Sequence, residues 1–294
     1  MPPEFARWRA QVEGEAGREW VAGLPDLVDR LCARWRLTPD DTPPLHGGLG
    51  LVVLVHRGDV PCALKVSQLE DATVDEALAL TTWDGRGAVR LHEADPEVGA
   101  LLLERLDPAK SLHDLDLRSA AEVAGGLIRR LAVPAPAGVR PLAGIADVMV
   151  EHLPRRQRAL GDPVPRRWVD AARGFAAELG AVDHDVLVHA DLHYGNVLAG
   201  DREPWLAVDA RAVRGRPEFS VPELMWTRAD DGALDSDTAV RRLLAVIVAA
   251  GELDADAAHG WVVARCVDYW LWGLENGLTI DPARCRKVLS ALLS

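Results

Sequence analysis

The stretch that decides the reading is His189-Ala190-Asp191-Leu192-His193-Tyr194-Gly195-Asn196-Val197-Leu198, followed thirteen residues after Asn196 by Asp209 at the end of a second apolar run, Leu206-Ala207-Val208. Between the runs, Gly200-Asp201-Arg202-Glu203-Pro204 is a turn by composition. Two short strands joined by that turn would bring the carboxylates of Asp191 and Asp209 and the amide of Asn196 to one place.

This is the H-x-D-L-x-x-x-N form of a kinase catalytic loop. In phosphoryl transfer a carboxylate orients or accepts the proton of the attacking hydroxyl, and oxygen ligands hold Mg²⁺ against the nucleotide phosphates. Asp191 suits the first role, and Asn196 and Asp209 the second. Two other readings compete. His184, His189 and His193 could be imidazole ligands of a hydrolytic metal, which leaves Asn196 and Asp209 without work. Alternatively Asp191 and Asn196 only cap turns around a packed His189.

Upstream, residues 49 to 66 read LGLVVLVHRGDVPCALKV, two β-branched apolar runs about Arg57-Gly58-Asp59, a hairpin. Its second strand carries Lys65. The chain has 30 Arg and only 3 Lys, so a lysine inside an apolar strand invites a reason. A phosphate-binding lysine needs a helix carboxylate to position it; Glu76, 11 residues on in a helix predicted over 70 to 83, supplies one, with Asp71 and Asp75 as alternatives. The turn before the hairpin, His46-Gly47-Gly48-Leu49-Gly50, would let backbone approach phosphates at Gly47, Gly48 and Gly50, although a plain hairpin turn has the same composition. Ala100 to Leu106 reads as a short buried strand, whose backbone at Glu104 to Leu106 would face an adenine edge.

The remaining chain is mainly helical by period. Residues 4 to 36 predict two helices divided at Gly23-Leu24-Pro25; further helices are predicted at 119–132, 142–160, 165–181, 221–228, 236–251, 255–276 and 281–293. Asp107-Pro108 is the best boundary between two lobes. The expected division is an N-lobe at 1–103, a hinge at 104–108 and a helical C-lobe at 109–294.

Composition bounds the partners. The 294 residues carry 33 Lys+Arg against 45 Asp+Glu, a net charge of −12, with no basic run, which argues against nucleic acid and anionic membranes. The longest strongly apolar run, Leu243 to Ala250, is 8 residues, too short to cross a bilayer. No secretory signal precedes the fold, so a cytosolic protein is expected. Four cysteines separated by 30, 204 and 19 residues read as buried free thiols. Residues 226 to 281 hold ten acidic residues against four Arg, a local surplus of six negative charges. In the 255–276 helix, Asp268, Trp272 and Glu275 recur at i, i+4 and i+7, one face of carboxylate, aromatic and carboxylate that would suit a guanidinium or ammonium ligand. The competing reading is a solvated helix face with Trp272 packed inward.

The sequence resembles the aminoglycoside/hydroxyurea phosphotransferases, and within that family the streptomycin 6-kinases, over nearly its whole length. The resembling stretches are Gly17-Arg18-Glu19-Trp20 with Val21-Ala22-Gly23-Leu24-Pro25, ALKV at 63–66, EALAL with Trp83-Asp84-Gly85, LLLERLDP at 101–108 and HADLHYGNVLAGDREPWLAVD at 189–209. The resemblance implies an α+β, bilobal, protein-kinase-like fold with a small β-sheet N-lobe and a larger helical C-lobe. It implies ATP and Mg²⁺ as cofactors, a cationic aminoglycoside as partner and a monomer, with phosphorylation of streptomycin at its 6-hydroxyl and resistance as the outcome. By matching positions it makes Asp191 the base, Asn196 and Asp209 the metal ligands and Lys65 the phosphate lysine. The chain departs from the family pattern at Asp209-Ala210, where Asp-Pro is usual, and at Gly215-Arg216-Pro217-Glu218-Phe219-Ser220, where a carboxylate is expected in place of Ser220. Those departures, with Arg211, Arg214 and Arg216 nearby, keep open a kinase of another hydroxylated metabolite or antibiotic-biosynthesis intermediate, and a nucleotide-binding module of weak activity.

Overall fold

The computed structural model describes residues 1–69 and 71–294, with the side chains of residues 71–74 outside the description. The chain forms two compact units, Met1–Gly85 with Val89–Leu106, and Arg86–Ala88 with Asp107–Ser294.

The first unit is a helix on an antiparallel sheet. Helix α1 (Pro3–Trp35) precedes strands β1 (Thr38–Pro39), β2 (Leu45–His46), β3 (Gly50–Arg57) and β4 (Val60–Ser67), helix α2 (Asp71–Trp83), and strands β5 (Leu91–Asp95) and β6 (Ala100–Glu104). The sheet order is β1-β3-β4-β6-β5, with β2 also on β3. Pleat alternation sorts the side chains: Val53, Leu64 and Leu102 are cross-strand partners on one face, and Val52, Lys65 and Leu101 on the other. The first set joins Phe5, Leu24 and Leu31 of α1 in one core. The predicted hairpin is present with Gly58 at its tip in the left-handed region (φ 61°).

Helix α1 differs from expectation. It does divide, but at Gly14 (φ 64°, ψ −127°) and not at Gly23-Leu24-Pro25. Pro25 stays inside the helix although it lacks an N–H, because the turn around it buries Val21 and Leu24 against the sheet. Packing of an apolar face outweighs a local breaker.

The second unit is mainly helical: α3 (Leu117–Leu131), α4 (Leu142–Ala159), α5 (Arg166–Gly180), α6 (Pro222–Trp226), α7 (Asp237–Gly251), α8 (Ala255–Glu275) and α9 (Ile280–Leu292). The Asp116, Ser236 and Asp254 side chains cap α3, α7 and α8 by accepting the Ser119, Ala239 and Ala257 N–H groups. Close approaches need glycine: a Cβ at Gly125 of α3 would lie 2.7 Å from Ala250 of α7, and one at Gly260 of α8 would lie 2.8 Å from Phe175 and Leu179 of α5. Five short strands, β7 (Asp107–Ser111), β8 (Val186–His189), β9 (Val197–Ala199), β10 (Leu206–Ala207) and β11 (Ala212–Gly215), form two small sheets, β10-β9-β7 and β11-β8. Val188 and Val213 of the second sheet share a core with Met149 of α4, Leu179 of α5 and Trp261 of α8. All four cysteines are buried free thiols. Among the described residues no helix is long and apolar enough to cross a membrane.

Leu102, fully buried in the middle of the first sheet, is expected to cost about 2–5 kcal/mol when replaced by Ala, read as a lowered midpoint in urea denaturation with secondary structure retained below it.

Candidate functional site

Two groups of predicted site residues fall in separate units, and the geometry of each is complete within its own. In the first unit, Lys65 leaves the apolar side of β4 by the pleat and is buried with Glu76 of α2 (8% and 3% exposed). Its Nζ donates to both carboxylate oxygens of Glu76, at 2.7 and 2.6 Å. A lysine enters a sheet face in this way only with an opposite charge beside it. Asp75 is also buried, and the side chain of Asp71 lies outside the described residues.

The glycine-rich turn connects β2 to β3, and the Gly47 N–H donates to the Gly50 carbonyl at 3.1 Å. Nothing lies within 4 Å of a Cβ built on Gly47, whereas one on Gly50 would stand 2.7 Å from Ser67 Oγ. Gly50 is therefore required by packing on β4, and Gly47 by no packing contact among the described residues. At Glu104 the N–H donates to the Arg90 carbonyl (2.9 Å) and the side chain accepts the Arg90 N–H (3.0 Å), which takes one of the backbone groups between Glu104 and Leu106 that were expected to face an adenine.

In the second unit, β8 ends at His189, which is 1% exposed. Its Nε2 hydrogen-bonds the Val208 carbonyl (3.0 Å) and its Nδ1 accepts the Asp191 N–H (3.3 Å). Burial drives its pKa down to about 4, so the ring is neutral and its two nitrogens play opposite parts, one donor and one acceptor. The Asn196 Nδ2 donates to the Asp191 carbonyl (2.9 Å), which leaves the amide oxygen Oδ1 as an acceptor. The Asn196 N–H goes to His193 O, and its own carbonyl accepts the Val208 N–H, both at 2.9 Å. Asp191, Asn196 and Val208 are thus one hydrogen-bonded frame, and Asp209 leaves it at φ 60°. For a residue with a Cβ that conformation costs about 1–2 kcal/mol, a strain held by the hydrogen bonds at Val208 just before it. The Asp209 carboxylate raises the pKa of both His189 and His193 against the downward pull of burial.

Among the described residues no group of three or more His, Cys, Asp or Glu could hold a metal ion. Both ring nitrogens of His189 are already engaged, and the three-histidine metal reading fails on that.

Sequence reasoning missed Glu223 and Arg265. Glu223 of α6 is 3% exposed; one oxygen accepts from Arg265 at 2.9 Å, and the other, Oε2, is buried without a hydrogen-bond partner among the described residues. Burial pushes its pKa up to about 7; Arg265 opposes the shift and the charge of Asp191 adds to it. Burial also works against the charge of Arg265, but the carboxylates of Glu223 and Asp268 more than offset this and keep it protonated. A carboxylate inside the apolar run Val221 to Trp226 is the same signal that singled out Lys65.

The predicted acceptor face is altered by the same arginines. Asp268 pairs with Arg265 (2.9 Å) and with Arg156 (3.0 Å), and Arg156 reaches Glu275 at 3.1 Å. Asp268 and Glu275 are therefore neutralised from within the protein, by a guanidinium on α4 that lies outside the window in which the acidic surplus was counted. Trp272 stacks on Tyr269 (5.3 Å, 14°), which stacks on Trp226 (4.8 Å, 16°). Trp261 and Trp270 are core residues. The departure at Ser220 is buried, and its neighbour Glu218 serves α8 by accepting the Asp254 N–H (3.0 Å) and Arg216 (3.3 Å). Arg214 lies 3.8 and 3.7 Å from Asp183 and Asp185, so two of the three clustered arginines face carboxylates.

A carboxyl group with a folded pKa near 7 keeps its proton between about pH 4.5 and 7, where the unfolded chain has lost it, so its contribution to stability falls as pH rises through that window. The stability of Glu223→Gln relative to the unsubstituted protein is expected to improve by on the order of 2 kcal/mol between pH 5 and pH 8. Urea denaturation at the two pH values measures this, and an unchanged difference would contradict the assignment.

The chain has relatives among known proteins. Residues 34–277 match the family described as aminoglycoside/hydroxyurea antibiotic resistance kinase. The chain is 39% identical over 289 residues to streptomycin 6-kinase of Streptomyces glaucescens, covering 96% of this chain and 94% of the relative. It is equally 39% identical over 300 residues to hydroxyurea phosphotransferase of Kitasatospora aureofaciens, covering 100% and 86%. Among solved structures, a thermostable mutant of aminoglycoside phosphotransferase APH(4)-Ia in its apo form superimposes with a TM-score of 0.64 at 13% identity, covering 90% of this chain and 98% of that one. A choline/ethanolamine kinase family protein from Mesorhizobium loti gives 0.54 at 17%, covering 91% and 94%. These likenesses show the expected α+β, protein-kinase-like fold, and with the sequence match they establish that the chain belongs to the aminoglycoside/hydroxyurea antibiotic resistance kinase family.

Proposed function

We propose that this protein transfers the γ-phosphoryl group of ATP to a hydroxyl of an aminoglycoside antibiotic, streptomycin at its 6-hydroxyl being the first candidate, and so inactivates it. The observation that carries the reading is the frame that joins His189, Asp191, Asn196 and Val208 and delivers Asp209 beside it.

In this reading Asp191 accepts the proton of the attacking hydroxyl. The neutral His189 holds the Asp191 backbone in place, and its depressed pKa keeps it from competing for that proton. The Asn196 amide oxygen, whose Nδ2 partner is held by the Asp191 carbonyl, and the Asp209 carboxylate fit a hard cation that takes oxygen ligands. Mg²⁺ held there would neutralise charge on the phosphates. Lys65, braced by Glu76, binds the α- and β-phosphates, and the backbone of Gly47, Gly48 and Gly50 lies over them. With the Glu104 N–H consumed, the adenine donor falls to Leu106. One chain in the cytosol supplies every group named.

A second reading, a small uncharged acceptor of the hydroxyurea type, is favoured by one observation. Arg156 and Arg265 neutralise the carboxylates that were expected to hold a cation. In either case the acceptor would meet Trp272, the half-buried end of a stack whose other end, Trp226, is buried, and a planar guanidinium or urea group can lie flat on such a ring.

Coupled ADP release with Mg²⁺ and ATP, using streptomycin, other aminoglycosides and hydroxyurea in turn, tests the function. Streptomycin-dependent turnover supports the first reading, hydroxyurea-dependent turnover the second, and turnover with no acceptor in the panel overturns both. Asp191→Ala is expected to lower kcat by about 10²–10⁴-fold while nucleotide binding measured by calorimetry persists; loss of both together would assign Asp191 to the fold and not to proton transfer.

A further inference from the structure

The family match begins at residue 34, so α1 stands almost wholly before it. Yet the N-terminal part of α1 is built around the glycine-rich turn. The Phe5 ring lies 5.4 Å from that of His46. A Cβ on Gly48 would come 3.9 Å from Trp8 Nε1. Arg9, 0% exposed, donates from Nη1 to the Gly48 carbonyl at 3.2 Å. Its Nη2 hydrogen-bonds the Gln68 side chain and pairs with Glu13. The guanidinium also lies over the Trp20 ring at 5.4 Å.

Burying a guanidinium is costly, the more so here because Arg9 Nε is buried without a hydrogen-bond partner among the described residues, and an apolar residue would anchor a helix to a sheet without that cost. What only a planar, multidentate cation does here is join two backbone segments, Gly48 just before β3 and Gln68 just after β4. Those segments flank one end of the hairpin that carries Lys65, where Gly50 and Ser67 are register partners. The chain's local choices serve the same placement. Gly14 turns the helix with φ 64°, and a Cβ on Gly17 would fall inside contact distance of the Arg9 carbonyl. Only glycine lets the second part of α1 close over Arg9.

We propose that Arg9 is a positioning residue for the nucleotide: through Gly48 and Gln68 it fixes the Gly47 to Gly50 turn in the form that receives the phosphates, and the N-terminal segment of α1 is the latch that presents it. The inference rests on the reading of that turn as phosphate-binding given under Proposed function.

The test uses the full chain with Arg9→Lys, which keeps the charge but not the fork, Arg9→Met, and Gln68→Ala, which releases one segment and leaves the Glu13 pair. Magnesium-ADP affinity by calorimetry, KM for ATP, KM for the acceptor, kcat and the melting temperature are measured for each. Arg9→Lys is expected to weaken ADP binding and raise KM for ATP by about 10-fold, the loss of a hydrogen bond from a charged group, and Gln68→Ala by a smaller factor. The acceptor KM stays as it was, and backbone amides of residues 45–50 exchange faster. An unchanged ADP affinity in a folded Arg9→Lys and in Gln68→Ala overturns the proposal. So does a joint rise of both KM values that follows the loss of thermal stability, which marks a purely structural anchor. If the Arg9 variants do not fold, Gln68→Ala decides. A protein that binds ADP but phosphorylates no acceptor refutes the kinase reading and leaves the latch to the ADP affinities; a protein that binds no ADP refutes both.

Discussion

A neutral imidazole buried between two backbone segments is the constraint on which the second unit's chemistry depends. His189 accepts the Asp191 N–H on one nitrogen and donates to Val208 on the other, a division of roles that only the uncharged ring allows. Burial keeps it uncharged. From that one ring follow the fixed position of Asp191, the hydrogen bond from Asn196 back to the loop, and the left-handed backbone at Asp209. The strain at Asp209 is tolerable because Val208, just before it, is held at both its N–H and its carbonyl.

Among the described residues the buried cations each meet a carboxylate, although Arg9 Nε, Arg265 Nε and Glu223 Oε2 are left without a hydrogen-bond partner. Lys65 meets Glu76, Arg9 meets Glu13, and Arg265 meets Glu223 and Asp268. Arginine dominates these networks because its planar fork reaches several acceptors at once, as Arg156 does between Asp268 and Glu275. Lysine is used where one compact ammonium has to sit between two oxygens of the same carboxylate. The Glu223 and Arg265 pair is stacked against Phe219 and Trp226, so it is shielded from water, and the carboxylate bears the cost as a raised pKa.

The same accounting changes the meaning of the acidic surplus in residues 226–281. Arg284 takes Asp230 and Asp281, Arg228 takes Asp231, Arg216 approaches Asp254, and Arg129 pairs with Glu252. Three of those arginines come from outside the segment. Net charge along the sequence is thus a poor measure of the local field when distant elements supply the counter-ions. What the region offers instead is a slab of three stacked rings.

Much was legible before any fold was known. The loop residues 189–209, the hairpin, the pairing of Lys65 with a carboxylate 11 residues on, and nearly every helix of the second unit follow from spacing, period and turn chemistry, because these act between near neighbours in the chain. Strands β5, β7, β8 and β11 were not legible: elements of four or five residues have too little pattern of their own, and pairings such as Val188 with Val213 exist only once the chain has returned. The break in α1 fell at Gly14 and not at Pro25, since the sheet beneath rewards burying Val21 and Leu24 more than the proline penalises it. The neutralised acceptor face, the buried Glu223 and the Arg9 latch were likewise decided by tertiary structure alone. Arg265 with Asp268 and Arg9 with Glu13 are near neighbours, but the contacts that define these features join residues far apart, 39 positions for Arg9 with Gly48 and 119 for Arg156 with Glu275, and a charge at such a separation has no partner until folding brings one within reach.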